Sequence, residues 1–331
     1  MSSTLPTSPL AENLGIYGYV VTFTLGLIGH SCSLLTFSQH QLRSTSTTIL
    51  FLSITTSDFL YLFMSIYDFL LISLRVPQLS PDYIPLCRFR TFILNFAQTT
   101  SPWLLVSIAF DRFIRAYFPY KTRKWCTKKT AIISLIIIII CSTAFNSHVL
   151  IPIFSVGFPS TRIICGPSHL DATDYSIFFY VTWPVLQICI NILLPSLLMI
   201  ISILSIYAKV RNIAAVRRNQ QFQNQMLVLM LSNVILYLVC TLPYGVYRMI
   251  SINTLDPTKP SEYVKFLIIT AVLTILLNAN YSVAFYINCL TSALFREVFV
   301  NTIKTCCRQQ QQILRRTQNT VHPVAHIQTA V

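Results

Sequence analysis

Long apolar stretches alternate with short polar segments along most of this chain. Seven of the stretches are long enough to cross a hydrocarbon layer of roughly 30 Å, which takes about 20 residues of helix. A helix satisfies its own backbone polar groups, which is what a segment in lipid requires. The pattern therefore predicts an all-α integral membrane protein built as a seven-transmembrane helix bundle. The predicted spans are residues 15–38, 48–71, 88–115, 129–155, 175–208, 225–250 and 264–289.

Composition supports this class, and the distribution of charge predicts the topology. The chain has 54% hydrophobic and 10% charged residues with a mean hydropathy of +0.62, whereas soluble domains carry about 25% charged residues. Of the 24 basic residues, 17 fall on one side of the spans and 7 on the other. The positive-inside rule then predicts an extracellular N-terminus and a cytoplasmic C-terminus in a multi-pass plasma-membrane protein. The net charge of +14 indicates contact with anionic lipids and does not indicate nucleic-acid binding.

The spans divide the chain into four predicted parts. Residues 1–14 form an extracellular N-terminus that lacks the basic start of a cleavable signal peptide, and 15–290 form the seven-transmembrane domain. Residues 291–305 are predicted to form a short amphipathic eighth helix, and 306–331 a cytoplasmic tail. The amphipathic pattern consists of apolar residues at helical spacing, namely Leu294, Phe295, Val298 and Phe299.

The predicted topology sorts the cysteines by compartment. Cys87 and Cys165 are the two that fall on the oxidising outer side, so a disulfide between them is predicted, with two free thiols as the alternative. Cys306 and Cys307 follow the amphipathic segment and are candidate lipidation sites, or else two unmodified cytosolic thiols. The sequence contains no Cys-x-x-Cys pair or Cys/His cluster, so a site for a transition metal is not expected.

Asp58 is the one acidic residue deep inside a predicted span, where an ionised carboxylate needs a partner. Ser101 and Asn280 are predicted at a similar depth in the third and seventh spans. Their oxygens suit a hard monovalent cation such as sodium. The alternative is a protonated Asp58 hydrogen-bonded to hydroxyl groups. Beyond this possible sodium ion, no cofactor is predicted.

Asp111, Arg112 and Phe113 end the third span, 24 residues after Cys87. As helix this separation rises roughly 36 Å, which places the cysteine and the charges at opposite faces of a membrane. The spacing resembles the third helix of rhodopsin-like (class A) G-protein-coupled receptors, with Arg112 at the arginine of their Asp-Arg-Tyr motif. Phe113 stands at the tyrosine position.

Other positions extend the resemblance over roughly residues 15 to 300. The segment from Leu52 to Asp58 looks like the family's helix-two motif, and Pro195 looks like its helix-five proline. Residues 240–243 look like the Cys-Trp-x-Pro motif of helix six, with Thr241 in place of tryptophan and Pro243 kept. Prolines at these places kink helices, so both are predicted pivots.

Two departures from the family pattern bear on mechanism. His30 replaces the helix-one asparagine, and residues 284–288, Ala-Phe-Tyr-Ile-Asn, replace the helix-seven Asn-Pro-x-x-Tyr motif. Gln223 stands where an acid of helix six would clasp Arg112, which leaves Asp111 as the predicted partner. The Asp111–Arg112 pair is predicted to be a latch that holds the inactive state lightly. Elevated basal activity of the protein is therefore expected.

The resemblance is greatest to divergent invertebrate neuropeptide receptors of the FMRFamide-like group. It implies an extracellular ligand, expected to be a peptide, and a heterotrimeric G protein as the inner partner. Leu94 occupies the position of the acidic residue of amine receptors, which speaks against an amine ligand. Candidate pocket residues combine both charges with polar and apolar groups, and they are Asp68, Arg90, Leu94, Thr241 and Arg248.

Activation in such a receptor is expected to repack an apolar layer formed by Leu105, Ile108 and Tyr237. A multi-span solute transporter is the alternative function, although the sequence shows no internal repeat of the kind that transporters carry. An enzyme is not expected, because no His cluster, paired intramembrane acids or Ser/His/Asp constellation is present in the sequence.

Overall fold

The computed structural model describes residues 8–38, 46–70, 83–151, 156–157, 164–167, 174–212, 217–254, 259–291, 293, 295–305 and 311–312. Within these ranges, the side chains of 67–68, 83–84, 156–157, 164–165, 210–227 and 252–254 are not described. The described part of the chain is a bundle of seven long helices, which confirms the predicted all-α membrane fold.

Seven helices, labelled α1 to α7, are followed by a shorter α8. Single continuous helices are α1 (Pro9–Phe37), α2 (Ser46–Asp68), α3 (Tyr83–Tyr117), α4 (Lys128–Asn146), α6 (Arg217–Thr254), α7 (Pro260–Ser282) and α8 (Ala284–Thr291). Helix α5 joins the α-helical turns Asp174–Ile177, Trp183–Gln187 and Leu194–Asn212 through the π turns Phe178–Thr182 and Ile188–Leu193.

Short elements connect these helices. A 3-10 turn, Pro119–Lys121, and a one-turn helix, Thr122–Trp125, lie between α3 and α4, and a second 3-10 turn, Ser147–Leu150, follows α4. Two strands, β1 (Val156–Gly157) and β2 (Ile164–Cys165), pair antiparallel before α5. The strand pair is an addition to the predicted all-α architecture.

Helix α3 lies at the centre of the bundle and packs against α2, α4 and α5. Six of the seven long helices in the described segments are apolar enough to cross a membrane by composition alone. The exception is α3, whose mean hydropathy is lower. Its middle carries a polar run from Asn95 to Ser101. The neighbouring helices satisfy part of this run, because Asn95 accepts a hydrogen bond from Gln187 at 3.2 Å and Thr99 accepts one from Asn146 at 3.1 Å.

Helix α4 contrasts with α3, because it lies at the edge and exposes a nearly continuous isoleucine surface. Exposed positions on this surface are Ile132, Ile133, Ile136, Ile137, Ile139 and Ile140. Such a surface would be unfavourable in water, but it matches the hydrocarbon core of a membrane. The apolar character of α4 is therefore consistent with its exposed position in the bundle.

Helix ends differ from the predicted spans because local capping, which hydropathy does not register, sets them. Helix α1 begins at Pro9 instead of residue 15, since the Ser8 hydroxyl accepts a hydrogen bond from the Ala11 amide at 3.3 Å and Pro9 suits a first turn. Helix α7 ends at Ser282, before the predicted residue 289, and the chain bends at Val283.

The predicted eighth helix falls partly on described residues. Residues 295–305 are helical, and Phe295 is buried against Phe37 and Phe285, whereas Val300 and Ile303 are exposed. Helix α8 precedes this run as a separate segment. Cys306 and Cys307 lie outside the described residues, so their lipidation stays a prediction.

Candidate functional site

A cleft opens between α3, α5, α6 and α7 in the half of the bundle that contains Cys87, called here the Cys87 end. The empty space in the cleft and its mouth is about 500 Å³, which includes open solvent. Side-chain amides, hydroxyls and apolar groups share its wall, and among the described lining residues Arg248 carries the one formal charge. The lining residues are Gln98, Pro184, Gln187, Ile188, Asn191, Ile192, Tyr237, Thr241, Tyr244, Gly245, Arg248, Leu277 and Tyr281.

Four of these residues follow one face of α6. Tyr237, Thr241, Tyr244 and Arg248 are spaced by four, three and four residues, which brings them to the same side of a helix. The Thr241 hydroxyl donates to the Tyr237 carbonyl at 2.6 Å. Helix α6 therefore presents three hydroxyl groups and one guanidinium on the side that lines the cleft.

A π turn of α5 places Asn191 at the floor of the cleft. Pro195 has no N–H to donate to the carbonyl of Asn191, four residues earlier. The Tyr237 hydroxyl donates to that carbonyl instead and joins α5 to α6. The side-chain oxygen of Asn191 is buried without a hydrogen-bond partner in the described structure. π turns occur often at functional sites because they redirect side chains.

The predicted pocket residues have different locations. Thr241 and Arg248 line the cleft. Leu94 packs behind the cleft against a cluster that includes Tyr61 and Tyr281, and Arg90 is buried nearer the start of α3. The side chain of Asp68 lies outside the description, so its role stays a prediction.

The sequence reasoning missed the amides of the cleft. Gln187 and Asn191 are four residues apart, so both face the same side of α5, and Gln98 belongs to the polar run of α3. Polar residues at helical spacing inside an apolar span were the available signal.

A second polar group lies in the middle of the bundle around Asp58. The Ser101 hydroxyl donates to Asp58 Oδ1 at 2.6 Å and lies 3.1 Å from the Ser57 hydroxyl. Asn280, predicted to join this group, is only half-buried and makes no such contact in the described structure. Asn278, two residues earlier, is the buried asparagine of α7, and its Oδ1 has no hydrogen-bond partner among described residues. Two residues correspond to about 200° around a helix, so only one of them faces the interior.

Helix α1 is joined to α7 and α8, on either side of the bend at Val283, by two hydrogen bonds from side chains to backbone carbonyls. His30 Nε2 donates to the Tyr281 carbonyl at 2.8 Å, and the Tyr286 hydroxyl donates to the Leu25 carbonyl at 3.0 Å. His30 is buried at this contact. The residue that departs from the family's helix-one asparagine therefore satisfies a backbone group at the bend in α7.

The other end of the bundle carries Arg112 and is called the Arg112 end. Asp111 pairs with Arg115, one helical turn onward, with 2.8 Å between the carboxylate Oδ2 and Nε. Arg112 instead donates from Nη2 to the Thr47 hydroxyl at 3.1 Å. The predicted direct ion pair between Asp111 and Arg112 is therefore not among the described contacts, although Asp111 still acts electrostatically on Arg112. Residues four apart share a helix face, so Arg115 lies over the Asp111 carboxylate.

Cys126, in the connection between α3 and α4, also contacts this group. Its thiol donates to the Asp111 carbonyl at 3.6 Å, and its own carbonyl accepts from Arg115 Nη2 at 3.3 Å. Burial raises the pKa of the Cys126 thiol to about 11, and the Asp111 carboxylate adds to the rise. The thiol is therefore a neutral donor at physiological pH.

Two of the three residues of the predicted apolar layer lie together. Leu105 packs against the cluster of α2, α3 and α4 that contains Ile108, and it also borders a cluster of α3, α5 and α6 that contains Met199 and Met230. Tyr237 lies apart from them, with Ile188 and Ile192 beside the cleft. Its hydroxyl reaches the α5 backbone there, so the structure does not place Tyr237 in the predicted layer.

Cys87 is buried and disulfide-bonded. The backbone of β2, which ends at Cys165, lies against α3. The side chain of Cys165 is outside the description, so its pairing with Cys87 stays a prediction, and the same holds for the role of Gln223.

A bundle of seven membrane helices with Arg112 at the end of a disulfide-bonded third helix defines a class of receptor. The chain matches the profile of the 7 transmembrane receptor (rhodopsin family) over residues 32–308, and it belongs to that family. Members of this family are multi-pass membrane receptors. The match therefore gives no support to the alternative of a solute transporter.

Among individual proteins, the chain is similar to an FMRFamide peptide receptor of Caenorhabditis elegans, with 26% identity over 143 residues, 41% of this chain and 32% of the relative. It is also 26% identical to the FMRFamide receptor of Drosophila melanogaster over 227 residues, 62% of this chain and 40% of the relative. Chemerin-like receptor 2 of Mus musculus is 24% identical over 241 residues, 72% of this chain and 65% of the relative. The matches to the two FMRFamide receptors span less than half of those receptors' lengths.

Proposed function

We propose that this protein is a plasma-membrane receptor that binds a peptide in the cleft at the Cys87 end and activates a heterotrimeric G protein at the Arg112 end. Peptide receptors among the similar proteins support the ligand class. The observation that carries the proposal is the course of α5 and α6, which line the cleft in one half and pack beside α3 in the other.

The chemistry of the cleft suits part of a peptide. Amides such as Gln187 and Asn191 pair with backbone N–H and C=O groups, while Tyr244 offers an aromatic wall. Arg248 suits a carboxylate or several carbonyl oxygens. A cationic amine would meet no acid among the described lining residues, in agreement with Leu94 at the aminergic position.

In this mechanism, the α5–α6 pair transmits the effect of ligand binding from the cleft to the Arg112 end. A ligand that binds one arrangement of α5 and α6 more tightly shifts the population toward that arrangement by its difference in affinity. The cluster of Met199, Ile203, Met230 and Val234 connects both helices to α3 near Arg112. Repacking there would free Arg112 to meet the G-protein α-subunit.

The test is ligand-stimulated nucleotide exchange with purified receptor in nanodiscs, an α-subunit mixture and a neuropeptide library. At least one peptide is expected to accelerate exchange, and Arg112→Ala is expected to abolish that response while peptide binding persists. Lys304→Ala removes an exposed positive charge and serves as the matched control. Solute movement by the purified protein without a G protein, or intact signalling in Arg112→Ala, would contradict the proposal.

Sodium binding near Asp58 belongs to the same proposal. Asp58, Ser57 and Ser101 supply clustered oxygen atoms, and Asn278 adds a buried oxygen without a partner in the described structure. These residues would hold the sodium ion, with Asn278 replacing the predicted Asn280. The bound ion would balance the negative charge of the Asp58 carboxylate. Sodium is expected to change peptide affinity relative to choline, and Asp58→Asn is expected to remove the difference.

The proposed orientation places the Cys87 end outside the cell, in line with the 17 basic residues on the opposite side. An epitope tag at the N-terminus should bind antibody on intact cells, whereas a C-terminal tag should require permeabilisation. The reverse pattern would place the cleft inside the cell and overturn the ligand assignment.

A further inference from the structure

Five side chains at the Arg112 end form a connected polar group, called here the inner clasp. It consists of Ser46 and Thr47 from the first turn of α2 and Asp111, Arg112 and Arg115 from the last turns of α3. Arg115 Nη2 donates to the Ser46 hydroxyl at 2.9 Å, and that hydroxyl donates to Asp111 Oδ1 at 3.0 Å. With the Arg115 Nε contact to Oδ2, both carboxylate oxygens of Asp111 accept hydrogen bonds.

Arg112 has a weaker attachment than Arg115. Its hydrogen bond goes to a neutral hydroxyl, Thr47, whereas Arg115 binds a carboxylate. Both hydrogen bonds have a cationic donor, but the one to the Asp111 carboxylate adds the attraction between opposite charges. The arginine that the proposed function assigns to the G protein is therefore the less firmly held of the two.

The position of Arg115 is fixed from three sides. Its guanidinium contacts Asp111 on its own helix, Ser46 on α2 and the Cys126 carbonyl in the α3–α4 connection. These elements are separate in sequence, so the contacts hold Arg115 over Asp111 as part of the tertiary fold. Arg115 and Ser46 occupy an acceptor position on each oxygen of that carboxylate and so compete with Arg112, which donates to Thr47 instead.

We propose that Arg115 is a positioning residue that withholds Asp111 from Arg112 and so determines how easily Arg112 is released. Thr47 is then the resting-state partner of Arg112. The inference rests on the proposed G-protein coupling for its functional consequence, but its structural part is independent of it. Removing Arg115 returns Asp111 to Arg112 and tightens the resting state, although one of the positive charges at the G-protein face is lost.

The first test is a set of double-mutant cycles on thermal unfolding in nanodiscs, which needs no G protein. Asp111→Asn and Arg115→Gln are expected to be non-additive by about 2–4 °C, and Arg112→Gln with Thr47→Val by a smaller amount. Asp111→Asn and Arg112→Gln are expected to couple more weakly than Asp111→Asn and Arg115→Gln, because Asp111 acts on Arg112 without a direct contact. With Arg115→Gln as background, the coupling between Asp111 and Arg112 is expected to increase. Coupling between Asp111 and Arg112 in the wild-type background as strong as that between Asp111 and Arg115 would overturn the inference.

The second test is nucleotide exchange without ligand. Arg115→Gln is expected to lower the basal rate by about threefold to tenfold, the factor that corresponds to one net hydrogen bond, while Thr47→Val is expected to raise it. Arg115→Lys keeps a cation near Asp111 and is expected to restore much of the basal rate. Arg123→Gln removes an exposed charge from the same connection and is the matched control.

The outcomes separate the two proposals. An increase in basal exchange on Arg115→Gln, or a decrease equal to that of Arg123→Gln, would overturn the inference even if peptides activate the receptor. If no variant and no peptide stimulates exchange, the proposed coupling fails, and the double-mutant cycles alone decide whether Arg115 withholds Asp111.

Discussion

The α1–α7 pair and the α5–α6 pair differ in the contacts that hold the two helices together. At the bend in α7, His30 and Tyr286 each bind a backbone carbonyl of the partner helix or segment. Between α5 and α6, the Tyr237 hydroxyl donates to the Asn191 carbonyl beside the cleft. The first pair is fixed by polar contacts along a seam at the bend, whereas the second packs mainly through apolar clusters and borders the cleft.

The glycines of the two pairs show the same difference. A Cβ at Gly29 would lie 3.2 Å from Phe285 Cβ and 3.4 Å from the Ser282 carbonyl oxygen, atoms that cannot move aside cheaply. A Cβ at Gly245 would lie as close, 3.1 Å from Ile188 Cγ1 and 3.3 Å from Ile192 Cδ1, but these atoms belong to side chains alone and not to backbone. The comparison teaches that rearrangement is less costly between α5 and α6, the two helices that the proposed mechanism moves.

The largest expected effect comes from forcing the α1–α7 seam apart with Gly29→Leu. The added side chain must displace Phe285 or the backbone at Ser282, which is expected to destabilise the folded protein by about 3 kcal/mol. Thermal unfolding in nanodiscs measures the loss. Gly29→Ala is the graded control and is expected to cost less. A wild-type melting temperature for Gly29→Leu would show that the seam is not closed and would remove the contrast.

His30→Leu tests the polar contact of the same seam with a smaller expected effect. Leucine fills a similar volume but leaves the Tyr281 carbonyl without its donor in a buried place, which is expected to cost about 2 kcal/mol. His30→Asn keeps a side-chain N–H donor and is expected to recover part of the loss. Equal stabilities for the Leu and Asn variants would contradict a hydrogen-bonding role for His30.

The membrane bundle was predictable because most spans face lipid and are apolar along their length. Helix α3 was predictable as well, although its polar middle lowers its hydropathy, since the flanking charges mark its ends. Capping by Ser8 and the bend at Val283 were not predictable from hydropathy. Both depend on local backbone hydrogen bonds, which the apolar pattern does not encode.

The sequence predicted which residues of the candidate site lie at the same level in the membrane. It did not predict which side of each helix faces the interior. Asp58 and Ser101 were placed at one level, and the structure brings them together. The choice between Asn278 and Asn280 depends on the rotation of α7, which no single span reveals. The pairing of Asp111 with Arg115 was accessible from the four-residue spacing, but the adjacent Arg112 was favoured on proximity in sequence.

Tyr237→Phe tests the α5–α6 pair and is expected to have the smallest effect of the three. It removes the donor to the Asn191 carbonyl, a neutral hydrogen bond worth about 1 kcal/mol, and the adjacent cleft allows the helices to adjust. Pro195→Ala supplies a backbone N–H four residues after Asn191. Because that amide replaces the lost hydroxyl donor, the double variant Tyr237→Phe/Pro195→Ala is expected to lose less stability on thermal unfolding than the sum of the single changes. If Tyr237→Phe alone costs more than His30→Leu, then α5–α6 is the rigid pair, and the motion that opens the Arg112 end must be sought between other helices.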